Sequence, residues 1–164
     1  MKIIAIMITK LAAFGLRLIG RGGSLPGTIA LKIDPNILQK LQMSGPIVLV
    51  TGTNGKTSTA NMLTEAFLAD GKHVISNRKG DNLLAGVTTT MLTNADLRGR
   101  IKADAAVLEV DELNIPYIIK GLPVSALVVT NFFRDQLDRA KEMEQLISRI
   151  ENSISDFKGM LIKR

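Results

Sequence analysis

Lys56, Thr57, Glu109 and the glycines around the first two are the residues whose types and spacing could do chemistry. Lys56 and Thr57 close the run Thr51-Gly52-Thr53-Asn54-Gly55-Lys56-Thr57-Ser58-Thr59. Glycines let a backbone turn so that successive N–H groups converge on anionic oxygens, and a helix that starts at the lysine directs its positive end to the same point. Lys56 then supplies a mobile cation for terminal phosphates, and the Thr57 hydroxyl is placed to hold magnesium. The general phosphate-loop pattern asks for a further glycine where this chain has Val50, so the loop is a shortened one.

Such a loop needs a strand before it and a helix after it. The apolar run Ile47–Val50 reads as a buried strand, and Lys56–Ala69 as a helix with Ala60, Leu63, Phe67 and Leu68 at helical spacing, stopped by Asp70-Gly71. Lys72-His73-Val74-Ile75 reads as a second strand, and a helix is expected from about Asn82. Ala105–Leu108 is a third buried run, and Glu109, Asp111 and Glu112 emerge at its end, where open α/β sheets bind ligands. A carboxylate there suits a hydrated magnesium ion, and the remaining acids read as a helix cap or as solvent-facing. Ala126–Val129 and Gly159–Ile162 read as further strands, with Thr130-Asn131 leaving the former at the same edge as the loop. The class is therefore α/β: a parallel sheet with flanking helices around a phosphate loop.

Composition narrows the rest. A chain of 164 residues with 46% hydrophobic content is long enough for one well-buried domain. Its net charge is +6, its Lys and Arg residues are spread along the chain, and with one Tyr and five Phe to stack bases, nucleic acid is not the expected partner. No cysteine is present, so there is no disulfide and no thiolate metal site, which fits a reducing cytoplasm. His73, the one histidine, stands beside a turn and is assigned no role. Arg78 and Lys79 beside Gly80 suit either phosphate contact or a solvated loop.

Ahead of the loop lie a helix and a lead-in segment. Ile4, Met7, Leu11, Phe14 and Leu18 recur at alternating three- and four-residue spacing, the stripe of an amphipathic helix. Lys10 and Arg17 make the run too short and too interrupted for a signal peptide or a membrane span. The stripe is expected to pack on the domain, with peripheral membrane contact or a partner helix as the alternative. Gly20–Pro35 reads as a basic connector whose glycines and Pro26 oppose regular structure at its start. Asp34 is expected to cap a short helix from Pro35 to Leu41, and Ser44-Gly45-Pro46 breaks the chain before the loop strand. The division that follows is a lead-in over 1–43 and a nucleotide-binding domain over 44–164.

The spelling Thr-Gly-Thr-Asn-Gly-Lys-Thr over 51–57 resembles the loop of the Mur ligase family and its folylpolyglutamate synthase relatives. Leu25-Pro26-Gly27, the Ile29-Ala30 pair and Lys32-Ile33-Asp34 resemble one branch of that family, the large subunit of lipid II isoglutaminyl synthase. Thr130 to Arg139, with Asp135-Gln136-Leu137-Asp138, resembles the same branch; amino-acid-adding members carry histidine, a second magnesium ligand, where Gln136 stands, and a carbamylated lysine farther along the helix that follows. That helix is read here from the stripe Ala140, Met143, Ile147, Ile150 and Ile154. The resemblance implies an ATP-dependent carbon–nitrogen ligase that amidates the D-glutamate of lipid II with ammonia from a glutaminase subunit of the GatD type. It implies ATP at Thr53, Asn54, Gly55, Lys56, Thr57 and Ser58, and magnesium at Thr57 and Glu109, and it identifies no catalytic acid or base. It places the chain in the cytoplasm, with the inner membrane face as the alternative. Members of the branch continue into a C-terminal domain, many through a four-cysteine zinc ribbon, so the chain is expected to be the truncated ATP-binding portion, to bind nucleotide weakly or not at all by itself and not to turn over. The alternatives are a fragment of an amino-acid-adding Mur ligase or folylpolyglutamate synthase, and a non-enzymatic ATP-binding module.

Overall fold

In the computed structural model, which describes residues 1–18, 23–78, 81–131, 148, 152 and 157–163, the apolar run at Ile47 becomes the middle of a parallel sheet. In chain order the elements are helices α1 (Lys2–Leu18) and α2 (Leu25–Ile33), strands β1 (Gln42–Met43) and β2 (Ile47–Thr51), helix α3 (Lys56–Ala69), strand β3 (Val74–Ser76), and helix α4 (Leu84–Asn94). Strands β4 (Arg100–Ile101) and β5 (Ala105–Glu109), helix α5 (Ile115–Gly121), and strands β6 (Ala126–Val129) and β7 (Met160–Lys163) complete the order. The main sheet has five strands in the order β3-β5-β2-β6-β7, all parallel, and β1 pairs with β4 in a small second sheet.

Central strands of a parallel sheet are covered on both faces, and the continuous apolar runs answer that demand. On one face Val50 and Val107 pack with Ala60, Leu63 and Phe67 of α3. On the other, Ile47, Leu49, Ala106, Leu108 and Leu127 meet Val87, Met91 and Leu92 of α4 and Ile115 and Ile118 of α5. Register decides what the sheet presents at its carboxyl edge: Val50 lies opposite Glu109, and Thr51 opposite Val129. The loop after β2, the carboxylate ending β5 and the Thr130-Asn131 step after β6 are thereby brought to one edge.

The lead-in differs from the sequence reading in three respects. The Gly20–Pro35 connector contains a helix, α2, because Pro26 occupies the first turn, where its missing N–H is no loss. Gly27 lets α2 lie against α4: its N–H donates to Thr89 Oγ1 at 2.8 Å, and a Cβ there would stand 1.8 Å from Ala85 O. The expected helix over Pro35–Leu41 is only a 3-10 turn at Leu38–Lys40, and Asp34 ends α2 and pairs with Lys40 at 2.6 Å instead of capping a new helix. The α1 stripe, finally, does not pack on the domain. Ala5, Ile6 and Thr9 are the buried side, whereas Ile4, Met7, Leu11, Phe14 and Leu18 are all exposed.

Ala5, Ile6, Ala30, Ile37, Leu38 and Leu41 belong to the same apolar core as Ile47 and Leu49, so the core runs across residue 43 without a break. Leu68 of α3 is exposed. The segment with Gln136 and the amphipathic face from Leu137 to Ile154 lie outside the described residues, apart from isolated positions.

Candidate functional site

The loop leaves β2 at Thr51 and turns at two glycines with positive φ, Gly52 at 126° and Gly55 at 81°. Gly55 directly precedes α3, so the first-turn amides of Lys56, Thr57 and Ser58 have no intrahelical acceptor and point out of the helix end. The Thr57 and Ser58 side chains are exposed at that end. Gly52 is pressed against the start of the segment after β6: a Cβ there would meet Thr130 Oγ1 at 2.2 Å and Asn131 O at 2.7 Å.

That segment holds the loop's shape. Asn131 O accepts from the Thr53 N–H at 2.8 Å. The Asn131 side chain reads both groups of Asn54: its Oδ1 accepts from the N–H at 3.0 Å, and its Nδ2 donates to the carbonyl at 3.0 Å. The Thr130 hydroxyl lies within donating distance of Asn54 O at 2.7 Å and Thr51 O at 3.1 Å. The backbone amides of Thr53 and Asn54 are thus engaged by Asn131, and the donors turned toward a ligand begin at Gly55.

Lys56 lies over the loop. Its Nζ donates to Gly52 O and to Thr53 O at 3.3 Å, and it pairs with Glu112 Oε1 at 3.3 Å, both side chains being 15% exposed. Glu112, read from sequence as a cap or a solvent-facing acid, is therefore the partner of the loop lysine. The cap of the following 3-10 turn is Asp111, whose Oδ1 accepts from the Leu113 N–H at 3.0 Å.

Glu109 ends β5 half-buried, with Asn82 Nδ2 donating to its Oε1 at 3.3 Å. Its backbone is fixed by Asn77, a residue absent from the candidates read from the sequence. Asn77 Oδ1 accepts from the Glu109 N–H at 2.9 Å, and Asn77 Nδ2 donates to Glu109 O at 2.8 Å and to Asp81 O at 2.9 Å. The Asn77 amide acts as one more rung of the ladder between β3 and β5 after the backbone pairing has ended at Ser76. No local sequence signal marks this role, which depends on the register of β3 against β5.

Arg78 pairs with Glu65 of α3 at 2.6 Å, and Lys79 and Gly80 lie outside the described residues. His73 stands at the amino end of β3, with its ring against Lys102 O at 3.0 Å, on the sheet edge opposite the loop. Among the described residues no group of three or more His, Cys, Asp or Glu forms a metal cluster. One hydroxyl and one carboxylate, Thr57 and Glu109, are the oxygen-only set a largely hydrated magnesium ion takes, and the helix end with Lys56 suits the phosphates it would bridge.

The Mur ligase middle domain model matches residues 50–156. This chain belongs to the Mur ligase family. It is 40% identical over 154 residues to the lipid II isoglutaminyl synthase (glutamine-hydrolyzing) subunit MurT of Staphylococcus aureus strain COL, an alignment covering 93% of this chain and 34% of that protein. The MurT subunit of Streptococcus pneumoniae strain R6 is 39% identical over 141 residues, covering 86% of this chain and 31% of the relative. The chain thus spans about a third of the length of these relatives. A solved structure of UDP-N-acetylmuramoyl-L-alanyl-D-glutamate–2,6-diaminopimelate ligase superposes with a TM-score of 0.50 over 84% of this chain and 34% of that one, at 15% identity, a likeness of fold.

Proposed function

We propose that this chain is the ATP-binding part of a lipid II isoglutaminyl synthase, the enzyme that amidates the D-glutamate carboxyl of the peptidoglycan precursor. The observation that carries the nucleotide reading is the loop's construction: two positive-φ glycines, a lysine at the head of α3, and a segment after β6 that ties up the Thr53 and Asn54 amides and leaves the helix end facing outward. The choice of acceptor rests on the extent of the MurT likeness, which covers nearly the whole chain.

In this reading the γ-phosphoryl group of ATP passes to an oxygen of the D-glutamate carboxylate, and ADP leaves. Ammonia adds to the acyl carbon, inorganic phosphate departs with the carboxylate oxygen, and the amide remains. The relatives' designation as glutamine-hydrolyzing supports a glutaminase subunit of the GatD type as the source of ammonia. Gly55, Lys56, Thr57 and Ser58 hold the phosphates, while Thr53 and Asn54 shape the loop around them. Lys56 exchanges Glu112 and the loop carbonyls for the terminal phosphates, where it stabilises the charge on the transferring group. Magnesium, held by Thr57 and Glu109, neutralises phosphate charge when bound.

Titration calorimetry with MgATP tests this reading. Because the loop is fully formed and buttressed in this chain, MgATP binding is expected in place of the weak or absent binding read from the sequence, and Lys56→Ala should weaken it by roughly two orders of magnitude, the scale of a lost charge-assisted contact in a partly buried site. Equal affinities for the two proteins, or binding indifferent to magnesium, would remove the loop from its assigned role.

A further inference from the structure

We propose that the outward face of α1 docks on an anionic phospholipid surface. The stripe is large and open: Ile4 is 53% exposed, Met7 47%, Leu11 68%, Phe14 64% and Leu18 72%. The opposite side of the helix is already satisfied, with Ala5, Ile6 and Thr9 buried toward α2 and α4. An amphipathic helix ordinarily turns its bulky apolar residues inward, so this one is mounted in reverse.

Charge selects the occupant. No Asp or Glu occurs before Asp34, and that carboxylate is held by Lys40. Lys2, Lys10, Arg17, Arg21, Lys32 and Lys40 therefore concentrate nearly all of the chain's net +6 in the segment carrying the stripe. Lys2 Nζ donates to Arg98 O at 2.7 Å and Lys10 Nζ to Thr93 O at 2.8 Å. Both partners are neutral carbonyls that orient the ammonium groups without cancelling their charge. A second copy docked by the same face would bring like charges together. Bulky apolar side chains flanked by cations alone are instead the pattern of a helix lying in the headgroup region of an anionic bilayer. No helix among the described residues is long and apolar enough to cross a membrane, so the contact is a surface one. This inference stands on the surface of α1 and does not depend on the nucleotide reading.

Flotation with vesicles tests it, using the full chain with phosphatidylcholine alone and with phosphatidylcholine mixed with phosphatidylglycerol. The chain is expected to float with the anionic vesicles and not with the neutral ones, and to release at high salt. Leu11→Gln combined with Phe14→Gln should lower partitioning roughly tenfold or more, while circular dichroism and the thermal midpoint stay unchanged because both side chains are exposed. Arg17→Gln should weaken binding less and reduce its salt dependence. Failure to float with anionic vesicles would overturn the proposal. So would flotation unaffected by the double substitution, or self-association in solution that the double substitution abolishes.

Discussion

Gly52 and Gly55 share a loop and a positive φ, yet replacing them by alanine should have unequal consequences. At Gly55 a Cβ would meet nothing within 4 Å, so Gly55→Ala incurs only the backbone term for a left-handed residue, about 1–2 kcal/mol. At Gly52 the φ of 126° lies far from the left-handed well near about +57°, so the backbone term is no smaller. The new Cβ would also stand 2.7 Å from Asn131 O and 2.9 Å from Asn131 N, backbone atoms that cannot swing aside. The loop must then lift from β6 and give up its bonds to Asn131, each with a net value of about 0.5–1.5 kcal/mol. Together these terms come to roughly 3–5 kcal/mol for Gly52→Ala. In a domain of this size about 1 kcal/mol moves the midpoint by about 2–4 °C, so Gly52→Ala should lower Tm by on the order of 10 °C and Gly55→Ala by about 4 °C.

Calorimetric unfolding measures the stabilities, and MgATP titration at a temperature where all variants are folded measures the site. Gly52→Ala is expected to abolish binding because the loop has left its support, whereas Gly55→Ala weakens it. Adding Thr130→Ala to Gly52→Ala removes the contact with Oγ1, but it also removes that hydroxyl's bonds to Thr51 O and Asn54 O and leaves the contacts with the Asn131 backbone, so it should restore little of the loss. Equal Tm losses for the two single variants, or Gly52→Ala binding MgATP like the parent, would refute the idea that β6 buttresses the loop.

Asn77→Ala removes the side-chain rung between β3 and β5 and leaves the Glu109 N–H and two carbonyls without it, so a loss of about 2–4 kcal/mol is expected in denaturant unfolding, with weaker magnesium dependence of nucleotide binding. The Thr51 hydroxyl is fully buried and finds no partner among the described residues. Thr51→Val should therefore be neutral or stabilise by about 1 kcal/mol, and a loss beyond that size would mean the hydroxyl is satisfied. Asp96 accepts from the Arg100 and Arg98 N–H groups and from Arg100 Nε. The Arg100 backbone bond is the foremost cause of holding its carboxyl below the usual range. Its contribution to stability is present above the unfolded pKa and fades as pH falls through the folded one, so Asp96→Asn should lower Tm slightly at neutral pH, converge with the parent at low pH and thereby flatten the acid limb of a Tm-against-pH curve.

What was legible in the sequence was what is locally dictated. The glycine turn between β2 and α3 depends on consecutive residues, and β2, β5 and β6 are apolar runs whose burial on both faces follows from their position in a parallel sheet. Asn77 and Glu112 were not legible, because their roles arise from register and chain reversal: one extends the pairing of β3 with β5, and the other reaches Lys56 through the turn after β5. For α1, periodicity located a bulky apolar face but could not say which side is dry. Ala5 and Thr9 allow close approach to α2 and α4, and the bulky face is left outside. The α2 helix is hidden in the sequence because glycine and proline ordinarily break helices, although Pro26 sits where a helix tolerates it.

The lead-in is more than an attachment to the site, and the reason is mechanical. Gly27 lets α2 touch the backbone of α4 at Ala85, near the start of that helix. Directly before α4, the Asp81 side chain sits against Gly86, leaving no room for a Cβ there. Asn82 O accepts from the Asp111 N–H at 2.9 Å, while Asn82 Nδ2 reaches Glu109. Leu84 N–H donates to Asn114 Oδ1 at 3.2 Å, which ties the same stretch to the turn that carries Glu112. The helix that α2 braces is therefore the one whose lead-in orients the candidate metal carboxylate and adjoins the partner of Lys56. α2 and Glu109 are thus linked through α4 and its lead-in by consecutive packing and hydrogen-bond contacts. The apolar face and the phosphate loop occupy different surfaces, but one continuous core joins them.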